Sequence, residues 1–274
     1  MGLFGKLFEK KECAICGGEI GLLGNRKLED GNMCKACAAK LSPWFDERRH
    51  STVAQIEEQL EYRESNKENV AAFRTTLSLG ETAKVLLDED VGRFMVTSAR
   101  NYSEANPDVL ELSDITGCTY DIDEGIDEVT RFDENNEAVS YDPPRFTHSY
   151  NFYVTVYVNN PYFDDMRFKV TSRTVEVEER RGPAVSANPG SINLVIGSLS
   201  GAETFNPEAS VEYCTYRDLC ERIVATLLEN RQSARGEIAA AAAPKAAVAC
   251  PYCGATTTPT TTNCCEFCVG ALGD

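Results

Sequence analysis

The stretch YNFYVTVYVNN, residues 150–160, decides the fold that we expect for the middle of the chain. Apolar side chains recur there at every second position, at Phe152, Val154, Val156 and Val158. This alternation is typical of a β-strand that buries one face and exposes the other. The sequence therefore predicts a strand whose even-numbered side chains face a hydrophobic core.

Similar patterns lie on both sides of this strand. The stretch AKVLLDEDVGRFMVTSA (83–99) predicts two short strands around an acidic turn, and VLELSDITGCTYDID (109–123) predicts another strand. Downstream, MRFKVTSRTVEVEE (166–179) continues the alternation and INLVIGSL (192–199) adds an apolar run. The core of the middle region is therefore expected to be mainly antiparallel β. Residues 121–142 are an acidic insertion, predicted to be an exposed loop or hairpin.

A long amphipathic helix is predicted after the strands, over residues 206–232. Asn206 is a suitable N-cap and Pro207 suits a first helical position. The side chains expected on its buried face are Tyr213, Tyr216, Cys220, Ile223 and Leu227. A sheet followed by one such helix predicts an α+β domain with a pleckstrin-homology-like arrangement, although other small α+β folds satisfy the same pattern.

The stretch STVAQIEEQLEYRESNKENVAAF (51–73) predicts helical structure before the strands. Thr52 and Ser65 each begin a capping-box pattern, with Gln55 and Glu68 three residues later. We therefore expect two helical segments, as a helical hairpin or a kinked helix.

Cysteines cluster near both ends of the chain, which has twelve in all. Each end carries two C-x-x-C pairs, the spacing at which a tight turn points two sulfurs at one metal ion, and four thiolates complete the tetrahedral shell of structural zinc. We therefore predict two structural zinc ions. The expected ligands are Cys13, Cys16, Cys34 and Cys37 at one site and Cys250, Cys253, Cys265 and Cys268 at the other.

Cys264 leaves one ambiguity in the second site, since it directly precedes Cys265. Cys265 restores the C-x-x-C spacing with Cys268 and is the expected ligand, whereas Cys264 could replace it. Both sites are fully ligated by cysteine, and catalytic zinc normally keeps an open position for water. The metals are therefore expected to stabilise small modules rather than to catalyse a reaction.

These patterns divide the chain into five parts. A four-cysteine module is followed by a helical connector, the β domain with its long helix, an alanine-rich linker and a zinc ribbon. The predicted boundaries are 1–50, 51–76, 77–232, 233–249 and 250–274.

Charge and hydropathy restrict the function. The formal net charge is −16, and the negative excess lies in residues 51–230. Such a surface repels phosphate backbones, so nucleic acid is an unfavourable partner for the middle region. The chain has no apolar run long enough to span a membrane, and its beginning lacks the continuous apolar core of a signal peptide. We therefore expect a cytoplasmic protein, in a reducing compartment that favours thiolates over disulfides.

The first eleven residues have a pattern of their own. Their apolar side chains fall on one side of a short helix, and lysines can face anionic lipid, which is typical of a surface anchor. Docking onto the protein's own zinc module is the alternative. The possible membrane or partner contacts are Leu3, Phe4, Leu7 and Phe8.

The phrases CAICGGEIG and CKAC, together with the helix phrase of residues 51–73, resemble a bacterial family of uncharacterised function. In that family a four-cysteine domain precedes a pleckstrin-homology-like domain. The resemblance covers about the first third of the chain and implies a fold rather than an activity.

Candidate catalytic groups are sparse in this sequence. His50 and His148 are the chain's two histidines, and neither has a partner identifiable from the sequence that would orient it as a base. The carboxylates from Asp121 to Glu128 lack the ligand spacing of a calcium loop, so a solvated face is expected. We predict a non-enzymatic zinc-binding adaptor for protein partners. The alternatives are a stress-related peripheral protein on the inner face of the membrane and a thiol-dependent enzyme.

Overall fold

The computed structural model describes residues 11–21, 23–179, 205–242, 247–260 and 262–272. The chain divides into two units, Met1–Arg231 and Gln232–Asp274. Its structure is mixed α/β, with mostly antiparallel strand pairs, a long helix after the second sheet and a four-cysteine cluster near each end. The apolar run of residues 192–199 lies outside the described residues.

The first unit begins with a small module around a hydrophobic cluster. Leu28, Met33 and Ile56 are fully buried in this cluster, so the module shares its core with the helix that follows it. Glu47–His50 forms a 3-10 turn at the end of the module. The elements of the module are β1 Lys11–Glu12, β2 Glu19–Ile20, β3 Asn25–Lys27, β4 Asn32–Cys34 and α1 Lys35–Ala38.

One continuous helix, α2, spans Val53–Ala72, so the helical hairpin that was one of the two predicted arrangements was wrong. The capping box of Thr52 and Gln55 is present at its start. Ser65 does not cap a second helix, because its hydroxyl donates to the Glu61 carbonyl one turn earlier, at 3.1 Å. Buried residues continue along one face on both sides of Ser65, and this packing maintains a single helix.

A four-stranded antiparallel sheet follows α2, in the order β5-β6-β7-β8. The two strands predicted within residues 83–99 are its central pair, β6 and β7. Gly92 adopts a φ of +69° in the turn between them, a conformation that glycine takes without steric cost. The elements are β5 Leu77–Leu79, β6 Lys84–Asp88, β7 Arg93–Thr97, α3 Tyr102–Ala105 and β8 Val109–Glu111.

A second antiparallel sheet is built around the strand that contains residues 150–158 of the alternating stretch. β10 pairs with β9 along one side and with β12 and then β11 along the other. The even-numbered side chains from Phe152 to Val158 are buried, which confirms the alternation predicted from the sequence. The strands are β9 Ile115–Phe132, β10 Ala138–Val158, β11 Asp165–Lys169 and β12 Val175–Glu178.

The acidic insertion of residues 121–142 is part of the β9–β10 hairpin. Its turn is closed by Asp133, whose carboxylate accepts the N–H groups of Asn135 and Glu137 at 2.8 and 2.9 Å. The pairing shifts register between Ser140 and Arg145, across a segment that contains two prolines. Proline has no N–H to donate to a strand ladder, which explains the irregularity.

The long helix α4 spans Val211–Ala242 and begins later than predicted. Asn206 and Pro207 instead form a 3-10 turn, Pro207–Ala209, and the Ser210 hydroxyl accepts the Tyr213 N–H at 3.3 Å. Tyr213 packs edge-on against Tyr150 and Phe152 of β10. The side chains of α4 that are fully or nearly buried are Tyr216, Cys220, Ile223 and Leu227, as the helical periodicity predicted.

A buried ion pair fastens the first module to the rest of its unit. Arg63 of α2 donates to Asp108 at 2.7 Å, and Ser42, just after the module's last helix, donates to the same carboxylate at 2.8 Å. Asp108 is completely buried. Arg63 also donates to the carbonyl groups of Lys40 and Asn106. The position of the first four-cysteine cluster is therefore linked to the start of β8.

The second unit contains the strands β13 Val248–Ala249 and β14 Thr256–Thr257, which pair antiparallel. Cys250, Cys265 and Leu272 form its small buried cluster. Among the residues described throughout the chain, no helix combines the length and apolar character needed to cross a bilayer.

Candidate metal centres

The first cluster brings together the four cysteines predicted at the beginning of the chain. The sulfurs of Cys13, Cys16, Cys34 and Cys37 all lie within 4.8 Å of one another. The Cys16 and Cys34 sulfurs are 3.9 Å apart. A tetrahedral zinc ion with bonds of about 2.3 Å separates its sulfur ligands by about 3.8 Å. Four sulfur donors at this spacing fit a zinc ion, and a disulfide would need about 2.05 Å.

A tight turn between β1 and β2 presents Cys13 and Cys16. The Cys13 N–H donates to the Gly18 carbonyl at 2.9 Å, and the Gly17 N–H donates to the Cys13 carbonyl at 2.8 Å. Gly17 has a φ of +67°, which allows the chain to reverse directly after the second cysteine. We call this arrangement a knuckle: a C-x-x-C pair followed by a residue with positive φ.

The second pair of the first cluster lies at the start of a helix. Cys34 is the N-cap of α1, and its sulfur accepts the Cys37 N–H at 3.3 Å. The Cys34 N–H in turn donates to the Cys13 sulfur at 3.2 Å. The Cys34 N–H thereby favours the thiolate form of Cys13, which is the form that binds metal.

The second cluster contains the four cysteines expected in the ribbon. The sulfurs of Cys250, Cys253, Cys265 and Cys268 lie within 4.8 Å of one another. Cys250 and Cys268 are 3.5 Å apart at sulfur, and Cys253 and Cys265 are 3.7 Å apart. These distances also fit a tetrahedral zinc ion.

Both pairs of the second cluster lie in knuckles that match the first. The Cys250 N–H donates to the Ala255 carbonyl and the Cys265 N–H donates to the Gly270 carbonyl, at 2.9 and 2.8 Å. The positive-φ residue after the first pair is Gly254, at +73°, and after the second pair it is Val269, at +58°.

Cys264 lies outside the second cluster. Its sulfur is directed to the Thr262 carbonyl, 3.5 Å away, and Ala271 is its bridge partner on the backbone. A knuckle that began at Cys264 would put the positive φ at Cys268, whereas the structure has it at Val269. The geometry thus groups Cys265, and not Cys264, with the other three sulfurs.

The pKa values of the cysteine thiols in the first cluster suit metal binding. Burial raises the pKa of the Cys13 thiol, but backbone N–H groups led by that of Cys34 outweigh this effect and bring the pKa down to about 6. Burial and the neighbouring thiols of Cys34 and Cys16 raise the pKa of Cys37 to about 12. The cluster therefore combines a ready thiolate with a thiol that must lose its proton when a metal binds.

The second cluster likewise contains both a cysteine with a lowered pKa and a cysteine with a raised pKa. Burial raises the pKa of Cys265, but N–H groups of Cys268 and Phe267 bring it down to about 6. The Gly270 N–H lowers the pKa of Cys268, yet the Cys250 sulfur and burial raise it to about 12.

The remaining candidate residues do not join either cluster. Leu3, Phe4, Leu7 and Phe8 lie outside the described residues. His148 is buried and pairs with Glu124, at 2.9 Å, beneath the ring of Phe205. Burial raises the pKa of Cys118 and of Cys220 to about 12, which disfavours their reactive thiolate forms.

The acidic side chains of β9 contact other side chains of the same sheet. Arg167 approaches Asp121 at 2.6 Å and Asp123 at 3.7 Å, and Glu124 accepts hydrogen bonds from His148 and Tyr150. These contacts belong to strand pairing and do not gather the carboxylates around one point.

A cleft that sequence reasoning missed lies beside the first cluster. It has a volume of about 380 Å³, and its walls come from the module, from α2 and from the segment Glu104–Asn106. Ile15 and Cys37 contribute to it from the module, and Leu60 contributes from α2. The walls are distant in sequence, so no local pattern indicates the cleft.

Comparison with known proteins adds one match. A family model described as a domain of unknown function (DUF4428) matches residues 11–59, which include the first cluster and the beginning of α2. No curated protein and no solved structure matches the chain. The two clusters indicate a zinc-binding protein, and the first of them lies within the matched domain.

Proposed function

We propose that the protein is a non-enzymatic zinc-binding adaptor that holds protein partners in the cytoplasm. The observation that carries this proposal is the exposure of two aromatic side chains on the second unit. Tyr252 and Phe267 occupy the same position in the two knuckles of the ribbon, directly before the second cysteine of each pair, and are 71% and 66% exposed. Aromatic side chains are enriched in protein interfaces, where they bury large areas at low entropic cost.

In the first module, the residue directly before the second cysteine contributes to the protein's own core. Its equivalent residue is Ile15, which is partly buried and packs against the module's hydrophobic cluster. In the ribbon the equivalent side chains point outward. An added Cβ at Gly270 would come within 2.6 Å of the Tyr252 ring, so a glycine is needed there to accommodate this ring.

The character of the metal centres supports a structural role for zinc. Four thiolates fill the tetrahedral shell and leave no open position for a substrate or an activated water. A thiol-dependent enzyme is the less supported function. In that case zinc-loaded protein would contain an unusually reactive thiol, measurable as fast labelling by iodoacetamide.

We propose for the central region a pleckstrin-homology-like arrangement of its two sheets and α4. Two features support it: two successive antiparallel four-stranded sheets, and a helix whose Tyr213 and Tyr216 pack on β10. We propose the cleft beside the first cluster as a second partner surface, on the first unit.

Partner capture from the native host tests the adaptor function. Three tagged forms are compared: the full chain, a chain that ends before Cys250, and Tyr252→Ser/Phe267→Ser. Ile238→Ser is the matched control, because Ile238 is also exposed, at 57%, but lies on α4. We expect the truncation and the double variant to lose the same partners and the control to retain them. Equal recovery of all partners by the double variant, with zinc retained, would contradict the role of the knuckle aromatics.

The second candidate function is peripheral association with the inner face of the membrane through residues 1–11. An exposed Leu23 beside arginines in the first module favours it. Phe4→Glu/Phe8→Glu should then abolish co-sedimentation with anionic vesicles, and absence of any sedimentation by the unaltered chain would remove this candidate.

A further inference from the structure

The strand β9 lies at an edge of the second sheet, since β10 is its strand partner within the described part of the chain. The directions of its backbone groups follow from the other side of β10. There the carbonyls of Phe146 and Phe152 accept the N–H groups of Glu179 and Val170, which directly follow β12 and β11. The N–H and C=O groups of one strand residue point to the same side. Over residues 145–157, the even-numbered residues of β10 therefore bond away from β9, and the odd-numbered ones bond to it.

The register carries this alternation over to β9. Asn151 pairs with Asp123 and Ser149 pairs with Gly125, so the odd-numbered residues of β9 direct their backbone groups to β10. The Ser149 hydroxyl donates to the Gly125 carbonyl at 3.3 Å, in agreement with this direction. The even-numbered residues of β9 consequently direct their N–H and C=O groups outward, away from the other strands.

The helix α4 contacts one end of this outward edge. Arg231 donates to the outward carbonyl of Thr116 at 3.0 Å, and the Tyr120 hydroxyl donates to Glu221 of α4 at 3.1 Å. Beyond Tyr120, no described residue forms a backbone hydrogen bond with the outward groups of residues 122–128. We call residues 122–128 of β9 the free edge, which is about 20 Å long. Such an edge is a template for pairing with another extended segment.

The two faces of the free edge differ in chemistry. Asp123 and Asp127 lie on one face, and both are exposed. Within the described ranges, Arg167 is the one cation within 4.0 Å of either carboxylate, at 3.7 Å from Asp123. The opposite face presents Ile126, which is 59% exposed, between two glutamates. The free edge thus offers carboxylates with little neutralisation on one face and an apolar contact on the other.

The charge of the free edge favours a basic strand over a second copy of this chain as its occupant. Antiparallel pairing of two free edges, centred on Gly125, would set Asp123 opposite Asp127, and like charges directly opposite are destabilising. A partner strand with lysine or arginine at every second position would set cations opposite both aspartates. Apolar residues at the intervening positions would lie beside Ile126.

We infer that the free edge binds an extended segment of a partner protein, with alternating basic and apolar residues, as an added antiparallel strand. The outward groups of Ile122 and Ile126 bond the backbone of the apolar partner residues, because the even-numbered positions of β9 form the hydrogen-bonded pairs. The basic residues occupy the intervening pairs, where side chains come closest. This goes beyond the adaptor function proposed above, since it adds a surface that uses neither the knuckle aromatics nor the cleft.

Fluorescence anisotropy with the zinc-loaded full chain tests the inference. The probe is a short labelled peptide in which lysine and valine alternate. We expect saturable binding that Asp123→Asn/Asp127→Asn weakens about fivefold, because two cross-strand ion pairs are lost. Glu57→Gln/Glu68→Gln is the matched control, since it removes two negative charges from the exposed face of α2 and should bind like the unaltered chain.

N-methylation of the peptide separates strand pairing from charge attraction without altering the protein. Methylation of the valine nitrogens removes the donors to the free edge and should weaken binding about tenfold. Methylation of the lysine nitrogens of the backbone leaves those donors in place, at the same charge, and should weaken binding far less. Ile126→Pro removes an outward N–H on the protein side, while the bonds of the odd-numbered residues to β10 remain, and should also weaken binding about tenfold.

Amide hydrogen exchange followed by NMR locates the bound peptide. The peptide should slow exchange at Ile122 and Ile126, whose N–H groups point outward. Exchange at Asp123 and Asp127 should stay unchanged, because these residues already donate to β10.

Four outcomes would overturn the inference: no binding, equal affinity for the two methylated peptides, slowed exchange only outside the free edge, or self-association of the chain that Ile126→Pro abolishes. The last of these would assign the edge to a second copy. Capture of partners through the ribbon is measured with Tyr252→Ser/Phe267→Ser, so the adaptor function and the free edge can fail independently.

Discussion

Val269 should be the weak point of the second metal centre. Among the described residues, three knuckles place a residue at positive φ after their second cysteine, and two of them use glycine, at positions 17 and 254. Val269 holds the same conformation, at +58°, with a β-branched side chain. Replacing it with glycine should therefore strengthen the centre.

The expected gain in zinc affinity for Val269→Gly follows from two opposing contributions to the free energy. A left-handed conformation costs a non-glycine residue about 1–2 kcal/mol, which Val269→Gly recovers. The extra freedom of glycine in the unfolded chain costs about 0.5–1 kcal/mol. The Val269 side chain is 74% exposed, so little packing is lost. The net gain of about 1 kcal/mol corresponds to roughly fivefold tighter zinc binding, because a ribbon of this size folds as it binds metal.

Competition with a chromophoric zinc chelator in reducing buffer measures this gain on the full chain. The first centre is an internal reference and should keep its affinity. Gly254→Val is the reciprocal variant, since Gly254 has a φ of +73° and an added Cβ there meets nothing within 4 Å. It should weaken zinc binding roughly fivefold. Unchanged or weaker binding by Val269→Gly would refute the assignment of the third knuckle to Cys265 and Cys268.

Two further predictions concern the first unit. Asp108→Asn should lower the free energy of unfolding by about 3–5 kcal/mol in urea titration, because it leaves the buried Arg63 cation without its counter-charge, whereas Glu64→Gln breaks only an exposed pair with Lys67 and should cost less than about 1 kcal/mol. A loss for Asp108→Asn no larger than that of Glu64→Gln would contradict this reading. Hydrogen bonds from Tyr150 and His148 lower the pKa of Glu124, so its contribution to stability is complete above the ordinary glutamate pKa and is lost as pH falls through the lowered value. The difference in free energy of unfolding between the unaltered chain and Glu124→Gln should therefore decrease on acidification. A difference that is independent of pH would exclude this linkage.

Features with a strong local period or spacing were predictable from the sequence. The alternation in residues 150–160 fixed the buried face of β10, and the spacing of Tyr216, Cys220, Ile223 and Leu227 did the same for α4. The C-x-x-C spacing predicted which cysteines pair, because each pair is presented by local structure, a knuckle in three cases and the start of α1 in the fourth.

Features that depend on distant contacts were not predictable. Ser65 matches a capping box, yet the packing of α2 on both sides of it overrides that local signal. The ion pair of Arg63 with Asp108 joins residues 45 positions apart. The acidic part of β9 has the composition of a loop, and pairing with β10 makes it a strand.

Native mass spectrometry of the full chain, purified in reducing buffer, tests the central claim of two thiolate zinc centres most directly. We predict two zinc ions per chain, two in Cys264→Ser, and one each in Cys265→Ser and Cys16→Ser. Iron in place of zinc, a single metal in the unaltered chain, or loss of a zinc ion in Cys264→Ser but not in Cys265→Ser would contradict it.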